Sequence, residues 1–129
     1  MAKIKGLITS DEAKELDANY TARYNLVSKD ITKRDDNRSS WFSIEDLKAF
    51  IKHAEDQAVA KKLTLDGIRI YNGAYKEEDG KAGYSTVFLI PTAANSLGKD
   101  GDEGSPDIEG NDGLNRGHVG FPPGANYPQ

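Results

Sequence analysis

Residues 39–90, SSWFSIEDLKAFIKHAEDQAVAKKLTLDGIRIYNGAYKEEDGKAGYSTVFLI, decide the fold. Ser43 is a strong helix start: its hydroxyl accepts from the Asp46 backbone N–H, and the Asp46 carboxylate is placed to reach back. Phe42 and Leu47 stand at staple positions on either side of that cap. Glu45 and Asp46 put negative charge in the first turn, and Lys61 and Lys62 put positive charge in the last, as the helix dipole favours. Ile44, Leu47, Ile51, Ala54 and Ala58 recur at steps of three and four, with Phe50 widening the stripe. Lys48, Lys52, Glu55, Asp56 and Lys61 lie off it, toward water.

Two strands follow. Residues 65–71 open on Asp66-Gly67 and hold Ile68, Ile70 and Tyr71; residues 84–90 are denser, with Tyr84, Thr86, Val87, Phe88, Leu89 and Ile90. Both are β-branched and aromatic. The second is apolar on both faces and is expected to be the more central, and Pro91 is expected to end it. The polar connection 73–83 reads as a solvated hairpin loop, with a binding loop as the alternative. Two strands alone are marginal in water. The hairpin therefore needs a third partner: residues 39–42, a piece of the tail, or the hairpin of a second copy.

Upstream, residues 1–8 either fray or lay Ile4, Leu7 and Ile8 on the core. Thr9 and Glu12 form a capping box. Ala13, Leu16, Tyr20, Tyr24, Val27 and Ile31 then predict an amphipathic helix over 10–28. Tyr20 and Tyr24 read as core rather than as a ligand stack. Residues 29–38 are charged and contain a turn. Downstream, residues 93–129 carry eight of the thirteen glycines, four of the five prolines and little apolar periodicity. Residues 93–113 taken alone read as a flexible acidic loop. Leu114, Val119, Phe121 and Tyr127 are apolar anchors that predict 113–127 packed back on the core.

The length of 129 residues suits one domain. Without cysteine there is no disulfide framework, thiolate zinc site or cysteine nucleophile. No apolar run approaches a membrane span, and the N-terminus shows no apolar stretch of signal-peptide length. A soluble cytoplasmic protein is the expectation. The net charge of −4 resides in the tail, where Asp100, Asp102, Glu103, Asp107, Glu109 and Asp112 face only Lys99 and Arg116. That balance argues against nucleic acid as a partner.

No motif forces a chemistry. The tail carboxylates Asp100, Asp102, Glu103, Asp107 and Glu109 could supply a calcium ion with oxygens. The EF-hand pattern is not met, because Gly104 and Asp112 occupy the wrong positions, and a solvated loop is the plainer reading. Arg38, Arg69, Tyr71, Tyr75 and Tyr84 could gather at one end of the sheet and hold an anion or a carboxylate; ordinary side-chain pairs are the alternative. Trp41, Arg116 and His118 complete the candidate ligand set. His118 and His53 are expected to be hydrogen-bonded structural residues, and a zinc site would need carboxylates from distant segments. Ser39 and Ser40 have no neighbouring base, so a serine nucleophile is unsupported. The tail glycines have neither the strand nor the helix that a phosphate loop needs.

Three stretches, DNRSSWFSIEDL at 36–47, GIRIYNGAY with STVFLIP at 67–75 and 85–91, and GLNRGHVGFPP at 113–123, resemble a group of small uncharacterised proteins of Bacteroidota genomes. The resemblance implies that the turn at 38–41, the strands and the tail at 113–123 act as one unit, and it implies no activity, cofactor or catalytic residue. The expected architecture is an α+β domain: two helices on one face of a small, mainly antiparallel sheet over 1–92, with a long irregular C-terminal segment over 93–129. The expected function is a non-catalytic module that binds a protein partner or itself, as a homodimer. The alternative is a small-molecule or calcium-binding protein with its site between the 73–83 loop and the tail.

Overall fold

A computed structural model describes residues 4–94, 104–115, 118–119 and 126–128. The chain is α+β. In order it forms α1 (Ser10–Leu26), a π-helical turn (Val27–Ile31), β1 (Ser40–Trp41), α2 (Ile44–Ala60), β2 (Gly67–Ala74), β3 (Ser85–Thr92) and β4 (His118–Val119).

Both helices start where their caps dictate. Thr9 and Glu12 form the reciprocal box at α1. At α2 the Ser43 hydroxyl accepts from the Asp46 N–H at 2.9 Å, without the return bond, since aspartate is one methylene shorter than the glutamate at α1. α2 ends in a Schellman turn. Leu63 N donates to Ala58 O, Lys62 N donates to Val59 O, and Lys62 takes the left-handed conformation with φ 60°.

The inward stripe of α2 is Phe50, Ala54 and Ala58; Ile44 and Ile51, expected on it, are exposed. Phe50 is thus the centre of the buried face rather than its margin. α1 departs further from its expected pattern. Leu16 and Ile31 are 61% and 58% exposed, and Tyr24 is the one buried residue of the helix. The face α1 turns inward holds Asp17 and Thr21, so a polar contact anchors this helix. Thr32 N reaches back five residues to Val27 O, and that widened turn carries Ile31 off the stripe. Ile4, Leu7 and Ile8 are exposed and add nothing to the core.

β2 and β3 pair antiparallel without a break, from Gly67 opposite Thr92 to Ala74 opposite Ser85. Beyond them Glu78 and Lys81 exchange backbone bonds around Asp79 and Gly80, both at positive φ. This is the two-residue Asp-Gly hairpin turn, hidden inside a connection whose length suggested a loop. Gly83 is obligatory here, because a Cβ would lie 2.0 Å from Tyr75 O.

The third partner of the hairpin is the tail. Leu89 exchanges both backbone bonds with Leu114 at 2.8 and 2.9 Å; lower down, Ala93 N donates to Pro106 O and Ile108 N to Pro91 O. β3 is therefore central. Alternation along it points the backbone groups of Val87, Leu89, Pro91 and Ala93 to the tail, and those of Phe88, Ile90 and Thr92 to β2. This is why Pro91 lies inside β3 instead of ending it: its missing N–H faces the tail, where only its carbonyl is used.

Leu89, Pro91 and Ala93 share one face and are buried. The core joins Ala58 of α2, Ala93 after β3 and Ile108 of the tail, flanked by Leu63 and Leu65. Ile108 is 2% exposed. Ile108 thus fastens the described stretch 104–113 to the core, while Gly104, Glu109, Gly110, Asp112 and Gly113 stay exposed; residues 95–103 of the expected acidic loop lie outside the described residues. α2 holds the same segment from below: Lys61 Nζ reaches Glu109 O at 2.7 Å, while His53 and Gln57 both bond the Asp112 carboxylate. β1 pairs with β4, Trp41 opposite His118, so the turn at 38–41 is tied to the tail.

Candidate functional site

The register of the hairpin fixes what β2 presents. Gly67, Arg69, Tyr71 and Gly73 direct their backbone groups to β3, so Ile68, Ile70, Asn72 and Ala74 direct theirs outward. Among the described residues no strand or bridge pairs with that outer edge. Ile70 is 65% exposed, and Asn72 and Ala74 flank it along the same edge. The strand has no proline, lysine or bulge, the usual devices that keep an open edge from pairing with another chain.

Its single charge, Arg69, is neutralised from within. Arg69 Nη1 donates to Asp107 Oδ1 at 2.5 Å and Nη2 to Ser105 O at 2.7 Å, while the Tyr71 hydroxyl donates to the other Asp107 oxygen. The Tyr71 ring stacks on Phe88 with centroids 5.1 Å apart. Accepting that bond, Asp107 pushes the Tyr71 hydroxyl above the ordinary phenol value and holds the Arg69 guanidinium still more firmly charged. Asp66, just before β2, accepts from Ser105 and Thr92 hydroxyls, and the Ser105 bond is the larger cause lowering its carboxyl below the usual range. The carboxylate ligand anticipated for Arg69 and Tyr71 is thus the chain's own.

The remaining candidates do not gather with these two. The Arg38 side chain is 3% exposed, with Nε 3.2 Å from Asp17 Oδ1 and Nη2 donating to Asp17 O and Thr21 Oγ1; its guanidinium lies over Tyr20 and Tyr24. Tyr84 lies under Arg34 at 4.1 Å. The Tyr75 hydroxyl meets Thr86 and Asn115. Trp41 is exposed on β1. The expected single cluster at one end of the sheet is therefore four separate arrangements, because each arginine has a nearer partner. The backbone of His118 is in β4; its side chain, Arg116, and the proposed metal ligands Asp100, Asp102 and Glu103 lie outside the described residues. Asp107 accepts from Arg69 and Tyr71, and the Glu109 carbonyl accepts from Lys61. Among the described residues no group of three or more acidic or histidine side chains gathers as a metal site.

Several working residues carried no sequence signal. Asp36 is fully buried and accepts from both the backbone and the hydroxyl of Ser85, while Asn37 donates to Ser85 O. These bonds fasten the 36–38 turn to the start of β3. Ile108 did carry a signal, as a lone aliphatic residue in an otherwise polar run.

No family model matches the chain, and no curated protein and no solved structure matches it. No described helix is long and apolar enough to cross a membrane.

Proposed function

We propose that this protein is a non-catalytic interaction module that takes an extended strand on the outer edge of β2. One observation carries the reading: an eight-residue strand whose outward backbone groups meet no described strand, with an exposed Ile70 and its only charge already neutralised by Asp107. Main-chain bonds to such an edge supply affinity, and side-chain contacts at alternate positions supply selectivity. The acidic balance of the chain favours a protein strand over nucleic acid.

Selection from a library of displayed extended peptides tests this. Binders to the wild-type chain are expected to be lost on Asn72→Pro, which removes an outward N–H and leaves the β3 ladder intact. Binders indifferent to Asn72→Pro and Ile70→Lys would sink the reading.

A second reading rests on the groove at the hairpin tip, about 640 Å³, lined by Arg34, Tyr75, Lys76, Glu78, Asp79, Lys81 and Tyr84. Glu78 and Asp79 offset two of its three cations, and the single positive charge that is left favours a small anion. Thermal melts with inorganic phosphate and with calcium chloride examine this groove and the calcium alternative together; unchanged melting in both removes them.

A further inference from the structure

We infer that the strand added to β2 is β2 of a second copy, antiparallel, with the two-fold axis at Tyr71. The inference rests on the edge reading above and names its occupant. Only registers that set outward-facing residues opposite one another close hydrogen bonds across the new interface. With the axis at Tyr71, Ile68 faces the second copy's Ala74 and Ile70 faces its Asn72, so all four outward residues of each copy are paired. An axis at Ile70 leaves Ala74 opposite the start of the strand. An axis at Arg69 sets two guanidinium groups directly opposite one another, which is repulsive.

The side chains agree with the Tyr71 axis on both faces. On the outer face Arg69 lies opposite Gly73, whose missing side chain leaves the Arg69–Asp107 pair undisturbed. On the inner face the exposed Ile70 arrives beside the second copy's Asn72, which lines a groove of about 410 Å³ with Leu16, Ser39, Ser40 and Val87. Each copy offers both the protruding isoleucine and the groove, as a two-fold interface requires. The β2–β3 ribbon, already bordered by the tail along β3, becomes half of a sheet that runs through both copies.

Sedimentation of the wild-type chain, amide exchange, and two variants test the inference. Since the chain has no cysteine, Tyr71→Cys introduces a single reporter thiol at the axis, where a non-hydrogen-bonded pair brings the Cα atoms to about 4.5 Å. Four results are expected: a wild-type dimer, slow amide exchange at Ile70 and Asn72, a disulfide joining the two introduced thiols of a Tyr71→Cys dimer under mild oxidation, and a folded monomer on Ile70→Lys. A dimer that persists unchanged in Ile70→Lys overturns the inference. So does a monomer whose Ile70 and Asn72 amides exchange freely; if that monomer still binds the selected peptides, the edge reading stands without the second copy. A monomer with those two amides protected means the chain covers its own edge, and both readings fall.

Discussion

Arg38 holds α1 to the rest of the chain through Asp17: Nη2 donates to the Asp17 main-chain oxygen at 2.7 Å and Nε meets its carboxylate at 3.2 Å. With Leu16 and Leu26 exposed, apolar burial on α1 is slight. Arg38→Ala leaves Asp17, whose side chain is 19% exposed, without its partner, and losing charge-assisted bonds in a part-buried site costs roughly 1.5–3 kcal/mol. Denaturant unfolding is expected to show that loss, and amide exchange across 10–26 is expected to accelerate more than exchange in β3. Equal acceleration in both would mean that α1 has other anchors.

Ile108→Ala removes the tail's contribution to the core it shares with Ala58 and Ala93. Large-to-small changes at such sites cost roughly 2–4 kcal/mol. The expected result is a lower denaturation midpoint together with faster exchange of the Leu114 amide, which is bonded to Leu89.

Asp66 sets an acid limit. Its folded carboxyl titrates below the ordinary aspartate range, chiefly because the Ser105 hydroxyl donates to it. A depressed folded value contributes stability above the unfolded value, and that contribution is lost as pH falls through the folded one. Unfolding measured from neutral pH to below pH ~4 is expected to fall more steeply for the wild type than for Asp66→Asn. Ser105→Ala should move the loss to higher pH.

Tyr71 sets the alkaline counterpart. Its hydroxyl titrates above the ordinary phenol range, first because of the bond to Asp107. A raised folded value contributes stability that is complete below the unfolded value and lost as pH climbs through the folded one. In Asp107→Asn the tyrosinate absorbance transition of Tyr71 is expected at lower pH, and the alkaline loss of stability should shrink. An unmoved transition would show that Asp107 does not hold the hydroxyl.

Lys62 occupies the left-handed position of the α2 Schellman turn, where glycine is usual. Lys62→Gly relieves a conformation that costs a non-glycine residue about 1 kcal/mol. A rise in melting temperature is expected for glycine and none for alanine, which keeps the Cβ.

Local physics was legible in the sequence. The caps at Thr9 and Ser43, the two helices and the β-branched runs of β2 and β3 follow from hydrogen bonds and periodicities that span a few residues, and these hold whatever surrounds them. The candidate site was legible only in its parts. Arg38, Arg69 and Tyr71 are residue types suited to holding a carboxylate, and each does hold one, but Asp17 and Asp107 come from elsewhere in the chain. Which carboxylate arrives first is a matter of tertiary approach. The same holds for Pro91, whose place inside β3 depends on which edge its nitrogen faces, and for Ile108, which enters the core because β3 offers the tail an edge. By itself the sequence determined the elements and the α+β class, since those follow from neighbours along the chain. Only the tertiary structure decided that the tail completes the sheet on one side and that no described strand covers β2 on the other, because backbone groups pair by proximity in space.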